Sequence, residues 1–170
     1  VKIIIGVDPG LTGAIGILDE QGRAVAAIDL PIQRDKSLAW VDGKELRRML
    51  HDAIAGDEAR VIIERVSAMP KQGVASSFLF GVGFGSLLGV LQAMQLPLEL
   101  VTPAKWKREV GLDSADKKAS LHKARLMFPN IDLRLAKHDG RAEALLLAHW
   151  YLQTRRSTPA PQGDLLTKVA

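Results

Sequence analysis

The chain contains no cysteine. Disulfides, zinc–thiolate centres and thiol nucleophiles are therefore excluded. It opens into an apolar strand without a basic n-region or a cleavage signal, which gives a cytoplasmic location as the expectation. It has no internal repeat and no low-complexity linker, so its 170 residues read as one domain of ordinary size. Charge is missing from one long stretch, Gln72 to Leu98. Within it, Val74 to Met94 is mostly apolar and about the length of a membrane span. Ser76, Ser77, Ser86, Gln92 and four glycines interrupt it, and strands of one sheet flank it. The expectation is a buried helix, part of it at a subunit interface. Elsewhere lysine and arginine outnumber aspartate and glutamate by 23 to 19, with a pI near 9.5, which leans toward an anionic partner.

Against this background four acids stand out. Asp8 closes the apolar run 1–7, and Glu64 closes the run 60–63. Asp139 and Glu143 lie four apart at the start of an apolar helix. Carboxylates at strand exits contribute little to packing, and four convergent acids resist ionisation unless a cation sits among them. Mg²⁺ is a hard ion held by a few carboxylates together with substrate phosphates. Two such ions about 3.5–4 Å apart clamp the attacking and leaving oxygens of a phosphodiester. Taken singly, each acid reads equally well as a turn residue or a helix cap.

The pattern along the chain predicts strands over Lys2–Asp8, Ala14–Leu18 and Arg23–Leu30, joined by turns at Pro9–Gly13 and Asp19–Gly22. Pro31 to Asp42 reads as a loop able to cross the site. An amphipathic helix follows over Lys44–Ile54, then a continuously apolar strand over Ala59–Glu64. The long helix (Val74–Gln95) and a strand (Leu98–Val101) come next. Thr102–Pro103 opens a helix to about Val110, a capping residue preceding a proline at the first helical position. Ser114 is the expected cap of a helix reaching Phe128, and a last helix spans Gly140–Arg155. The domain is expected to cover 1–155, with 156–170 a loosely ordered tail. Three strands followed by alternating helices and strands predict an α/β fold, a mixed five-stranded sheet covered by helices.

These residues resemble a known family. Gly6-Val7-Asp8-Pro9-Gly10, with Gly13 and Gly16 behind it, is similar to the first motif of RuvC-type Holliday junction resolvases, and Ile63-Glu64-Arg65-Val66 to their second. Thr102-Pro103, Trp106-Lys107, Gly111-Leu112 and Asp116-Lys117 resemble the basic third segment. The stretch His138 to Leu145 resembles the final acidic helix, most of all in phage and organellar members. The resemblance implies an RNase H-like fold and a homodimer that nicks opposed strands of four-way DNA junctions. It implies two Mg²⁺ ions, replaceable by Mn²⁺, on Asp8, Glu64, Asp139 and Glu143. It also implies Lys117 beside the scissile phosphate and Lys107 as a DNA contact. Met69, Lys71, Gln72, Lys105 and Lys118 complete the candidate DNA-binding set.

Two features depart from the bacterial pattern. The last two acids are four apart rather than three, which still places them on one helix face. His138 is an alternative ligand to Asp139. The loop after Glu64 lacks the aromatic that some members wedge into the junction, and Met69 is its only large apolar residue. Trp106 reads as a packing residue, with base stacking as the alternative. Gly81, Gly85 and Gly89 line one face of the long helix, to be met either by the sheet beneath or by a symmetry-related helix. Other readings also stay open: an RNase H-like nuclease on another nucleic acid such as an RNA–DNA hybrid, a nucleotide-binding module of the actin and sugar-kinase type, or a junction binder with a degenerate site.

Overall fold

The computed structural model describes residues 2–67, 73–112 and 117–157, without the side chains of Lys117, Arg156 and Ser157. β1 (Ile3–Asp8), β2 (Ala14–Asp19) and β3 (Ala24–Asp29) form an antiparallel meander. β4 (Ile32–Asp35) and β5 (Leu38–Val41) make a separate hairpin. Then follow α1 (Gly43–Ile54), β6 (Ala59–Glu64), α2 (Val74–Ala93), β7 (Leu98–Val101), α3 (Pro103–Glu109), α4 (Lys117–Met127), a single 3-10 turn (Ala136–His138) and α5 (Asp139–Ser157). The five-stranded sheet has the order β3-β2-β1-β6-β7, with β1, β6 and β7 parallel. This is the mixed sheet expected from the sequence, in the RNase H-like arrangement.

Alternation along β1 divides the core into two layers. Ile4 joins Leu18, Ile62, Trp106 and the apolar face of α5 on one side. Ile3, Ile5 and Val7 join Leu46, Leu50, Leu87 and Leu91 of α1 and α2 on the other. Each fully buried aliphatic side chain contributes about 1.5–3 kcal/mol relative to exposure, so both faces of the sheet must be covered.

Two glycines set the depth of α5. Gly6 and Gly16 are paired across β1 and β2. A Cβ at Gly6 would overlap the Ala144 carbonyl, and one at Gly16 would run into the backbone of Ala144 and Leu145. The helix backbone thus rests directly on the sheet. Arg141 fixes its first turn by a two-pronged pair to Asp29 at the end of β3, at 2.5 and 2.8 Å.

Three expectations need correction. Residues 31–42 are not a loop. Ile32–Val41 pair as a hairpin through a tight turn with Lys36 at φ 50°, and β5 buries Ala39 and Val41. Asp42 then caps α1, its side chain accepting from the Glu45 amide at 3.0 Å. The second correction concerns α2, which is covered on one side only. Gly83, Leu87 and Leu91 are buried, whereas Val74 is 88% and Phe78 63% exposed. Only 17% of its most apolar stretch is buried, and by length and composition it could cross a membrane. Thirdly, the sheet beneath does not meet the face of Gly81, Gly85 and Gly89. A Cβ at any of the three would have no neighbour within 4 Å among the described residues. The helix expected from Ser114 begins at Lys117, Ser114 itself lying outside the described residues, and α5 runs to Ser157, two residues beyond the expected end.

Candidate active site

Asp8 and Glu64 are the last residues of two parallel neighbours, in a register that pairs Val7 with Ile63. Their carboxylates therefore leave the sheet at the same edge, the carboxyl end where α/β sheets place their sites. The close seat of α5 on Gly6 and Gly16 brings its N-terminal turns over that edge, carrying Asp139 and Glu143. A Cβ at Gly140 would stand 3.1 Å from the Asp8 carboxylate, which shows how near this helix end lies. Acids at a helix N-terminus are also favoured by the helix dipole.

The electrostatics report the convergence. Burial, then Glu143, Glu64 and Asp139, push the Asp8 carboxyl up to about 7, opposed only by the Gly10 amide at 3.5 Å. Burial likewise raises Glu64, and Glu143 adds to this, while Trp106 and Lys107 oppose it. All four predicted acids thus belong to one cluster.

Two neighbours from α3 enter the cluster. The Trp106 indole is fully buried and its Nε1–H donates to Glu64 Oε2 at 2.8 Å. The Lys107 ammonium donates to Glu143 Oε1 at 2.7 Å and lies 5.3 Å from the Trp106 ring. Ser120 Oγ, also buried, completes the shell of Glu143 at 3.1 Å. The sequence reads Trp106 as a packing residue, with base stacking as the alternative, and does not single out Ser120. For Trp106 a signal exists, because it opens the helix after the strand that neighbours Glu64. Nothing comparable marks Ser120.

The remaining predicted residues fall elsewhere. Lys107, expected on DNA, is largely buried among the acids. Lys105 is exposed, its ammonium 5.5 Å from the Trp150 ring, and Lys118 is exposed near the start of α4. Lys117 opens α4 at its backbone, while its side chain lies outside the description. Met69, Lys71 and Gln72 lie outside the described residues. His138 is buried, and its Nδ1 has no hydrogen-bond partner among the described residues.

No family model matches the chain. Over 93 residues it is 37% identical to a chloroplastic protein of Chlamydomonas reinhardtii, the Holliday junction resolvase MOC1. That match takes in 53% of this chain and 10% of the relative, so the chain spans about a tenth of the length of the curated relative it matches. Among solved structures, T. thermophilus RuvC in complex with a Holliday junction substrate superposes with a TM-score of 0.63. The alignment covers 92% of this chain and 97% of that one at 16% identity. A second Thermus thermophilus RuvC structure gives 0.53 over the same shares at 15% identity. The resemblance to RuvC-type Holliday junction resolvases is borne out. The solved structures share the RNase H-like fold, and the sequence match falls on an organellar protein of the type its motifs resemble.

The cluster suits a divalent cation in its chemistry. Its donors are all carboxylate oxygens, the hard ligands Mg²⁺ prefers, and Asp8 cannot ionise readily among them without added positive charge. The Lys107 ammonium on Glu143 already brings one positive charge to the cluster. Among the described residues, no three carboxylates or imidazoles yet converge closely enough to hold an ion. Three of the acids are engaged elsewhere: Glu64 by Trp106, Glu143 by Lys107 and Ser120, and Asp139 by the Gly140 amide at 2.9 Å.

Proposed function

We propose that the chain is a structure-selective DNA endonuclease that resolves four-way junctions by paired nicks on opposed strands. The observation that carries this is the placement of Asp8 and Glu64 at the ends of adjacent parallel strands, with the N-terminal turns of α5, which carry Asp139 and Glu143, seated over them. The fold and sequence similarity to junction resolvases supply the substrate class.

Asp8, Glu64, Asp139 and Glu143 would hold two Mg²⁺ ions, with Mn²⁺ able to replace them. Ions held there would supply Lewis-acid polarisation of the phosphodiester and activation of a water nucleophile at neutral pH. The residues of the chain position and compensate. Glu64 and Asp8 are fixed to strand ends, so their oxygens do not have to be reorganised during the reaction. Lys107 carries a fixed positive charge within the cluster, paired with Glu143. Lys117, the first residue of α4, would stand beside the scissile phosphate. Lys105, Lys118, Met69, Lys71 and Gln72 would contact the DNA arms. Each lysine–phosphate contact adds about one unit to the salt dependence of binding.

Paired nicks require two sites in fixed relation, hence a homodimer. The open face of α2, with Phe78 exposed and Gly81, Gly85 and Gly89 unobstructed, supports a second copy packing there. Small residues allow helix backbones to approach closely. The compartment we infer is the cytoplasm of a bacterial or phage-infected cell, with an organelle as the alternative given the chloroplastic relative.

The decisive experiment incubates the protein with labelled four-way, three-way, flapped and linear duplex DNA, with Mg²⁺ and with EDTA. Cutting should be confined to Mg²⁺ and strongest on the four-way junction, and Asp8→Asn or Glu64→Gln should abolish it while junction binding persists. Ca²⁺ should support binding with little cleavage, being larger and less strict in geometry. Equal cutting of linear duplex, or cutting retained by either variant, refutes the assignment.

A further inference from the structure

The proposed hydrolysis makes no use of Trp106. It is a fully buried indole, one of three tryptophans in the chain, and its single polar atom is spent on Glu64. The placement follows from the backbone. β7 pairs with β6 so that Val101 lies opposite Glu64, Thr102 and Pro103 start α3 immediately afterwards, and the first turn of α3 delivers Trp106.

The choice of donor is informative. An indole offers one N–H and no acceptor. It therefore holds one oxygen, Oε2, in one orientation, and leaves Oε1 without a bond from this ring. It is also neutral. Lysine or arginine at the same place would fix Glu64 equally well, but would cancel the charge that a divalent cation needs. On Glu143 the opposite arrangement occurs, since Lys107 provides both a bond and a compensating charge.

We propose that Trp106 is a positioning residue for metal binding: its indole N–H fixes the rotamer of Glu64 through Oε2 so that the second carboxylate oxygen is presented to a divalent cation. This rests on the acid cluster being a metal site. Partners that orient a ligand from behind are typically worth about 10–100-fold in metal affinity.

The test is Mn²⁺ binding to the EDTA-stripped and dialysed protein without DNA, followed by the electron paramagnetic resonance of the free ion. Trp106→Phe keeps an aromatic ring in the core and deletes the N–H. Replacing Trp106 by benzothienylalanine exchanges the N–H for sulfur at nearly constant shape. Both should bind Mn²⁺ about 10–100-fold more weakly than wild type. The benzothienylalanine variant should stay folded and bind a four-way junction in EDTA as wild type does, whereas Trp106→Phe, which also leaves a cavity in the core, should unfold at a lower midpoint. In a Glu64→Gln background, Trp106→Phe should weaken Mn²⁺ binding no further, since the two act through one carboxylate. In ¹⁵N spectra the indole resonance lost in Trp106→Phe should shift on addition of Mg²⁺. Wild-type Mn²⁺ affinity in the benzothienylalanine variant would overturn the proposal, whether or not the Phe variant folds, because the ring would then only fill the core. If wild type itself takes up no Mn²⁺, the metal reading of the cluster fails and the proposal falls with it.

Discussion

Asp8→Asn should make the metal-free protein more stable, and increasingly so as pH rises. In the unfolded chain the Asp8 carboxyl titrates near 3.8, and in the folded protein burial and three neighbouring carboxylates push it up to about 7. Between those values the folded state binds a proton that the unfolded state has released, so stability falls with rising pH. This is the reverse of a salt-bridged acid. At 1.36 kcal/mol per pH unit, a rise from 3.8 to about 7 costs about 4 kcal/mol above pH 7 and nothing below pH 3.8. Asparagine has nearly the same shape and never ionises, so it escapes this cost. The assay is urea unfolding of both proteins in EDTA from pH 5 to pH 8. Every other titrating group is common to the two and drops out of the difference. The advantage of the variant should grow by roughly 2–3 kcal/mol over that window, and Mg²⁺ at pH 8 should stabilise wild type more than the variant. A constant difference across the window would mean that Asp8 does not face a cluster of carboxylates.

Lys107→Met should destabilise the metal-free protein by about 3 kcal/mol, toward the low end for a broken buried pair because both partners keep some solvent contact. Part of that loss should return with Mg²⁺ in the same urea assay, and no recovery would separate the lysine from the cation site. Gly6→Ala should lower stability by about 1–3 kcal/mol or more, since the new methyl overlaps the Ala144 carbonyl and must lift α5. An unchanged thermal midpoint would refute the seat described for that helix. Gly85→Leu meets no neighbour among the described residues and should preserve or raise monomer stability, a leucine being favoured over glycine in a helix by about 1 kcal/mol. In light scattering the same change should reduce the mass from two chains to one. A dimer that persists places the interface elsewhere.

The strands were legible because their burial is simple. β6 is covered on both faces and reads as a continuous apolar run, and its observed limits, Ala59–Glu64, coincide with those predicted. β7 likewise matches at Leu98–Val101. The hairpin of β4 and β5 was hidden for the opposite reason. It lies outside the main sheet, β4 is mostly exposed, and its run Gln33-Arg34-Asp35-Lys36-Ser37 carries no apolar alternation. Only Ala39 and Val41 face inward, and two residues make no period. In α2 the apolar composition was visible, but a helix apolar all round does not disclose which face its own chain covers. The spacing of Gly81, Gly85 and Gly89 identified a face, and only the fold decided that this face points outward.

The site divides along the same line between what one element determines and what several determine together. Each of the four acids ends a strand or begins a helix, a position set by its own element, and all four were named from the sequence. Their partners depend on how elements pack. Trp106 and Lys107 are adjacent in the sequence, yet one reaches Glu64 on β6 and the other Glu143 on α5. A basic segment read along the chain is a row of positive charges available to DNA, whereas packing draws one of them into the acid cluster. The reason is electrostatic. Four carboxylates at one sheet edge demand compensation before any ligand arrives, and the nearest cation on a neighbouring helix supplies it. Lys107 is therefore as much a consequence of the acid cluster as a contributor to what it binds. The neutral Trp106 and the charged Lys107 then have separate effects. One fixes a carboxylate while leaving its charge intact, and the other holds a second carboxylate and offsets its charge.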